Sequence, residues 1–252
     1  MEKLKPIIYT ALFGPENCPL DEIGDLRVPP YNDNSEAEFI AFTNRQDLKS
    51  DFWNIKYVEL SRIPRLEARY YKLNPHKVLP EHKFNIWIDH QVFFTVCPLI
   101  IINKYLTEPQ ALIAIHHHGD LNSLAVEGIF QCWKYRNDLP EIILPQLLKY
   151  GNEGFPMINY HHFETGILIR ENCALTTDFN EAWWDEVKKH SLRDQLSCPY
   201  VVWKYRNIKN LPIFTIPESF TAHQNILTIP KSKVFFTRPK PAQQQDLSSR
   251  MI

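Results

Sequence analysis

The 252-residue chain has no dominant charge: 28 Lys and Arg stand against 29 Asp and Glu, a net charge of −1. No global field draws it onto nucleic acid or anionic lipid, so an anionic ligand has to be met by a local group of cations. Paired cysteines are lacking too. Cys18, Cys97, Cys132, Cys173 and Cys198 are scattered without C-x-x-C spacing and are odd in number, which argues against a disulfide framework and a structural zinc site and fits a reducing compartment. No apolar run approaches the roughly 18 residues of a membrane span. The opening MEKLKP followed by IIYTALF is too short in apolar residues for a secretory leader. These absences predict a cytoplasmic protein. Internal repeats and the H-E-x-x-H zinc signature are also missing.

What is present is the balance of an ordinary globular protein, 44% apolar and 23% charged, at a length that one large domain can fill. β-rich runs at Ile7 to Phe13, Phe39 to Thr43, Trp53 to Val58 and Phe84 to Asp89 predict successive strands. Pro64 to Lys72 reads as a helix opened by proline. The alternation continues with a helix over Pro98 to Leu106, a strand over Ala111 to Ile115 and helical spacing at Leu121, Leu124, Ala125 and Ile129. Helices are expected over Glu141 to Tyr150, Phe179 to His190 and Arg193 to Trp203, with a strand at Gly166 to Ile169. Strands alternating with helices indicate an α/β fold. From Arg206 onward the pattern weakens, ending in the polar PKPAQQQDLSSRMI.

Three places carry candidate chemistry. FNIWIDHQVFF sets Asp89 at the C-terminal end of a buried strand, where crevices of open α/β sheets form. Asp89 there either caps a turn or holds a hard cation such as Mg²⁺ or Mn²⁺ against a diphosphate. The triplet His116, His117, His118 ends another strand. Strict alternation puts His116 and His118 on one side, as metal ligands or as a polar strand terminus, with Glu127 nearby in sequence as a second carboxylate or a solvated helix position. WWDEVKKHSLRDQLS places Ser191 and Asp194 at the spacing of a helix start, so Asp194 is either a first-turn charge or, with Arg193 and Gln195, a sugar-recognition group.

In order, YTALFG at Tyr9 to Gly14, FTN at Phe42 to Asn44, ARYYKLNPH at Ala68 to His76, IWIDH at Ile86 to His90, the His118 to Glu127 spacing, YGNEGFP at Tyr150 to Pro156, ETGILIREN at Glu164 to Asn172 and RDQLS at Arg193 to Ser197 resemble one family. It is the glycosyltransferase-like domain of plant proteins of mucilage and pectin synthesis and turgor regulation, with bacterial relatives. The resemblance implies a GT-A type fold, an open, mixed, mainly parallel sheet flanked by helices, over residues 1–205, with 206–252 as a C-terminal extension. It implies a nucleotide-sugar donor, expected to be a UDP-sugar, a saccharide acceptor and a Mn²⁺ or Mg²⁺ cofactor on Asp89 and His118. Thr10, Ala11, Phe13, Gly14 and Asn44 are then expected around the nucleotide, with Arg69, Lys72 and Arg170 as further donor-binding residues. Asp194, Glu164, Arg193 and Gln195 form the expected catalytic side. Departures are Gln91 where a second metal carboxylate would complete Asp-x-Asp, Leu121 in place of an Arg, and Asn44 in place of an Asp.

The resemblance implies glycosyl transfer during glycan or polysaccharide assembly, with retention of configuration or, where a carboxylate such as Asp194 serves as general base for the acceptor hydroxyl, with inversion. Two rivals are a metal-dependent hydrolase using His116, His118 and Asp89, and a non-catalytic glycan-binding protein on the same fold. A basic and aromatic stretch, Lys231, Lys233, Val234, Phe235, Phe236, Arg238 and Lys240, is read either as an edge strand with a loose tail or as a peripheral membrane contact.

Overall fold

The computed structural model describes residues 4–15, 26, 36–90, 92–94, 96–119, 123–131, 138–217 and 227–228. The basic stretch after Pro230, Gln91 and Leu121 lie outside the described residues, so the membrane-contact expectation falls there too.

Seven strands form one sheet in the order β3-β2-β1-β4-β7-β6-β8. They are β1 Ile7–Ala11, β2 Glu38–Thr43, β3 Asn54–Tyr57, β4 Phe84–Ile88, β6 Ile113–His117, β7 Phe163–Glu171 and β8 Ile213–Ile216. A two-stranded pair joins β5 Phe93–Phe94 to β9 Leu227–Thr228. β7 alone runs against its neighbours β4 and β6, while β1, β2, β3 and β4, and likewise β6 and β8, pair in parallel. The open, mixed, mainly parallel sheet expected from sequence is the one observed. β8 corrects the expectation that order weakens after Arg206: four residues pair along β6 there.

Helices cover both faces, and the strands' period of two sorts their side chains between them. Tyr9, Phe42, Trp87 and Leu168 face a core shared with Leu73, Trp183, Val187 and Val201. Ile8, Ala41, Ile86 and Ile169 face a second core with Ile101, Ile102 and Tyr105. The first layer holds α1 Pro64–Leu73, α5 Pro140–Asn152, α6 Ala174–Lys189 and α7 Asp194–Ile208; α2 is Pro75–Val78 and α4 is Leu124–Ile129. The second layer holds α3 Pro98–Ile102, which continues as π-helical turns over Asn103–Thr107 rather than as one α-helix to Leu106.

Two boundaries move for local reasons. α6 starts before the expected Phe179 because the Cys173 backbone N–H donates to Thr176 Oγ1 at 3.0 Å, closing a capping box. α7 is not capped by Ser191. Ser191 Oγ donates to Asp138 at 2.7 Å and accepts from the Arg193 N–H at 3.1 Å, leaving Asp194 as the first helical residue.

β7 carries the irregularity that shapes the site. Its pairing with β6 jumps from Ile115↔Leu168 to His116↔Glu164, which leaves Thr165, Gly166 and Ile167 in a bulge. Phe163 and Leu168 are five residues apart and by strict alternation face opposite ways, yet both pack in the first core. The bulge re-aims the start of β7 toward α7.

Candidate functional site

The site grows from one face of α1. Arg65, Arg69 and Lys72 stand at positions i, i+4 and i+7, so their side chains project together. The helix leads them to the C-terminal ends of β1 and β4, where Asp89 follows the last residue of β4. Lys72 is 1% exposed and Arg69 18%. The Arg65 guanidinium is pulled down to about 10 by burial, then by repulsion from Arg69 and Arg193, with Asp138 and Asp194 opposing. Four cations are therefore gathered in one region of a nearly neutral chain.

Asp194 is the counter-charge at their centre. Its Oδ1 lies 2.9 Å from Arg69 Nε, an ionic contact without the angle of a hydrogen bond. Its Oδ2 lies 2.5 Å from Lys72 Nζ and accepts from Thr165 Oγ1 at 2.8 Å. Thr165 in turn accepts from Lys72 Nζ at 3.0 Å, using the hydroxyl as both donor and acceptor. Burial by itself would raise the Asp194 carboxyl, but Arg69 and then Lys72 overcome it and hold it far below the usual carboxylate range. Lys72 is lowered by burial, with Asp194 and Asp89 pushing back. A charged pair is the state that fits both, because a carboxylate already facing two cations is a poor proton acceptor.

Asp194, expected on the catalytic side, is buried within the cluster. At 1% exposure, with both oxygens engaged, it has no face left for an anomeric carbon or an acceptor hydroxyl. Its contacts are with Arg69, Lys72 and Thr165.

Asp89 is the carboxylate of the cluster that meets solvent, 35% exposed. Trp87 Nε1 donates to its Oδ1 at 2.9 Å, and Lys72 Nζ lies 4.0 Å from the same oxygen. The expected divalent ion fits this donor set poorly. A lysine ammonium already stands beside the one carboxylate, His118 instead sets its ring 5.5 Å from that of His162, and among the described residues no three His, Cys, Asp or Glu side chains converge on a point suited to a metal.

At the ends of β1 and β2, Asn44 and Gly14 exchange two bonds: Gly14 N–H donates to Asn44 Oδ1 at 3.1 Å and Asn44 Nδ2 to Gly14 O at 2.8 Å. Thr10, Ala11 and Phe13 are buried, and Phe13 packs on Tyr71 of α1 at 5.3 Å between ring centroids. This stretch packs beside α1.

A family model, the TOD1/MUCI70 glycosyltransferase-like domain, matches residues 43–224, which takes in α1, Asp89, the β7 bulge and Asp194. The chain belongs to that family. Its match to the probable hexosyltransferase MUCI70 of Arabidopsis thaliana is 27% identical over 135 residues, 50% of this chain and 23% of that protein. Its match to the alkaline ceramidase TOD1 of the same plant is 23% identical over 174 residues, 64% of this chain and 37% of that protein. The chain thus spans well under half the length of either relative. Among solved structures it is similar to apo mouse xyloside xylosyltransferase 1, at 10% identity and a TM-score of 0.43, covering 85% of each chain.

The remaining predicted residues of this TOD1/MUCI70 domain divide between cleft and core. Arg193 is 30% exposed on its side chain and lies 3.7 Å from Glu127, whose carboxyl is raised by burial against the pull of Arg193. Gln195 Nε2 donates to Phe163 O at 3.1 Å and so holds the start of β7 to α7. Glu164 is buried opposite His116. Arg170, expected among the donor-binding residues, is 1% exposed and stands in the core. It donates to Asn85 Oδ1, Asn180 Oδ1, Tyr9 Oη and the Lys72 carbonyl, at 3.1, 3.0, 2.5 and 3.0 Å.

His116, expected to share a side with His118, is buried with its ring 6.4 Å from that of Tyr105, while His117 and His118 face His161 and His162. The triplet is thus divided among three ring contacts, and the hydrolase reading of His116, His118 and Asp89 loses its cluster. Thr165 and Arg65 were missed. Arg65 was legible as the helical partner of Arg69; Thr165 had no sequence signal, since strict alternation counted from Leu168 turns it to the other face.

Proposed function

We propose that this domain transfers a glycosyl group from a nucleoside diphosphate sugar, expected to be a UDP-sugar, to a saccharide hydroxyl in glycan assembly. The observation that carries the reading is the gathering of Arg65, Arg69, Lys72 and Arg193 around Asp194 beside the half-buried Asp89, at the C-terminal end of the central strand β4, the side of open α/β sheets on which ligands bind. Membership of a glycosyltransferase-like family supports it.

In this reading the nucleotide lies along Phe13, Gly14 and Asn44, and the diphosphate meets Arg69 and Arg193. As the anomeric carbon–oxygen bond breaks, the electron pair leaves with the diphosphate, and fixed cations stabilise the charge that develops there. The acceptor oxygen bonds to the anomeric carbon and its proton passes to the departing diphosphate oxygen, an arrangement that retains configuration. The sealing of Asp194 supports that route, since it removes one carboxylate from service as a base. Asp89, held by Trp87, is oriented to accept a hydroxyl hydrogen bond from the sugar. A cytoplasmic setting completes the proposal.

Incubation with a panel of nucleotide sugars and short glycans, scored by released nucleoside diphosphate, tests it. Release from one donor is expected, with Arg69→Ala at least about tenfold slower. Glycan binding with no release from any donor would move the domain to the non-catalytic reading, and cleavage of a ceramide amide in place of transfer would overturn both.

A further inference from the structure

The poor fit to a divalent ion has a specific cause. Lys72 Nζ stands among three oxygens supplied by three different elements: Asp194 Oδ2 from the start of α7 at 2.5 Å, Thr165 Oγ1 from the β7 bulge at 3.0 Å and Asp89 Oδ1 from the end of β4 at 4.0 Å. Two carboxylates and a hydroxyl around one point are the ligand chemistry that a hard cation takes. We propose that the Lys72 ammonium is the resident cation of this site, covalently attached where a divalent ion on Asp89 would sit, so that a nucleoside diphosphate, met by the more open Arg69 and Arg193, binds without metal. The inference rests on the nucleotide-sugar reading for its ligand; the placement of the cation does not.

Lys72 is fixed at both ends. Its carbonyl accepts from Tyr9 Oη at 2.9 Å and from Arg170 at 3.0 Å, so the last turn of α1 is tied to the core. Its ammonium lies 5.8 Å from the centre of the Trp87 ring, whose Nε1 donates to the same Asp89 oxygen that faces the ammonium. A divalent ion brought to Asp89 would meet a unit positive charge that cannot swing away, because the side chain is 1% exposed. The Asp194 contact is satisfied without any metal, and the second metal carboxylate of Asp-x-Asp is replaced by Gln91. The positive charge that a divalent ion would bring beside Asp89 is thus already supplied by a side chain.

Two titrations on the full chain separate this inference from the functional reading. Free Mn²⁺ followed by its electron paramagnetic resonance signal, without nucleotide, should show no stoichiometric binding to the wild type. Lys72→Met, which leaves Asp89 and Asp194 facing a vacated position, should gain one Mn²⁺ site, lost again in Lys72→Met/Asp89→Asn. Calorimetry with UDP should give a Kd that differs by less than about threefold between Mn²⁺ and a chelator, against the tenfold or greater loss expected where a metal bridges protein and diphosphate. One Mn²⁺ per wild-type chain, abolished by Asp89→Asn, overturns the proposal whatever UDP does. A chelator that abolishes UDP binding overturns it as well. If UDP fails to bind under either condition, the nucleotide reading fails and the Mn²⁺ titration of the wild type still decides the cation. Should Lys72→Met not fold, the wild-type measurements stand alone as the test.

Discussion

Lys72 Nζ and Asp194 Oδ2 lie 2.5 Å apart, each on a side chain that is 1% exposed. A pair sealed from water in this way contributes little net stability against its desolvation cost, but removing one partner strands the other. The pair joins three elements: α1 through Lys72, α7 through Asp194 and the β7 bulge through Thr165.

Asp194→Asn is expected to cost about 3–5 kcal/mol in urea unfolding at neutral pH, the usual penalty for leaving a buried cation unpaired. Turnover per folded molecule should fall through loss of Arg69 and Lys72 placement rather than through a missing base, so nucleotide affinity weakens along with kcat. A wild-type UDP Kd alongside a collapsed kcat would return Asp194 to the catalytic list.

The pH dependence of stability follows from the same residue. Asp194 titrates far lower folded than unfolded, so as pH drops below roughly 3.9 the unfolded chain takes the proton first and stability falls. The contribution is fully present above that value and is lost as pH descends through the folded one. Asp194→Asn should show a shallower acid limb in unfolding midpoints measured between pH 5 and pH 2.5, on the order of the window just named. An identical slope would mean that Asp194 is not charged in the native protein.

Arg170→Leu leaves Asn85, Asn180, Tyr9 and the Lys72 carbonyl without their shared donor. A loss of roughly 3 kcal/mol or more is expected. The UDP Kd of the folded fraction should move by less than about threefold, since the guanidinium is enclosed by core partners, whereas Arg69→Ala should weaken it about tenfold to a hundredfold, with a smaller loss of stability than Arg170→Leu because Lys72 still faces Asp194. Thermal unfolding and calorimetry on both variants distinguish the core arginine from the cleft arginine.

Asn44→Asp keeps the bond accepted from Gly14 N–H and loses the one donated to Gly14 O. The expected cost is about 1 kcal/mol, read as a lowered melting temperature. UDP should restore part of the loss by mass action if the Gly14 turn borders the nucleotide. An unchanged melting temperature would show that the Asn44 amide is dispensable to the turn.

The element types were written locally. Near-continuous β-rich apolar runs in Ile7 to Ala11 and Phe84 to Ile88, proline at the start of α1 and the i, i+4, i+7 spacing of Arg65, Arg69 and Lys72 need no partner to be read, because each depends on local composition, helical period and side-chain chemistry alone. The sequence thus determined an α/β sheet with Asp89 at a strand end and a cationic helix face. Which charges lie buried was decided only by tertiary structure. Arg69, Arg170, Asp89 and Asp194 look alike as charged letters, yet Arg170 is drawn into the core by Tyr9 and Asn85, both far from it in the chain, and by Asn180, ten residues on. Asp194 is sealed because a bulge of three residues in β7 breaks the strand's period and turns Thr165 toward α7. A break in period is invisible to a reading that assumes the period, and a buried ion pair exists only once the elements carrying its partners have packed.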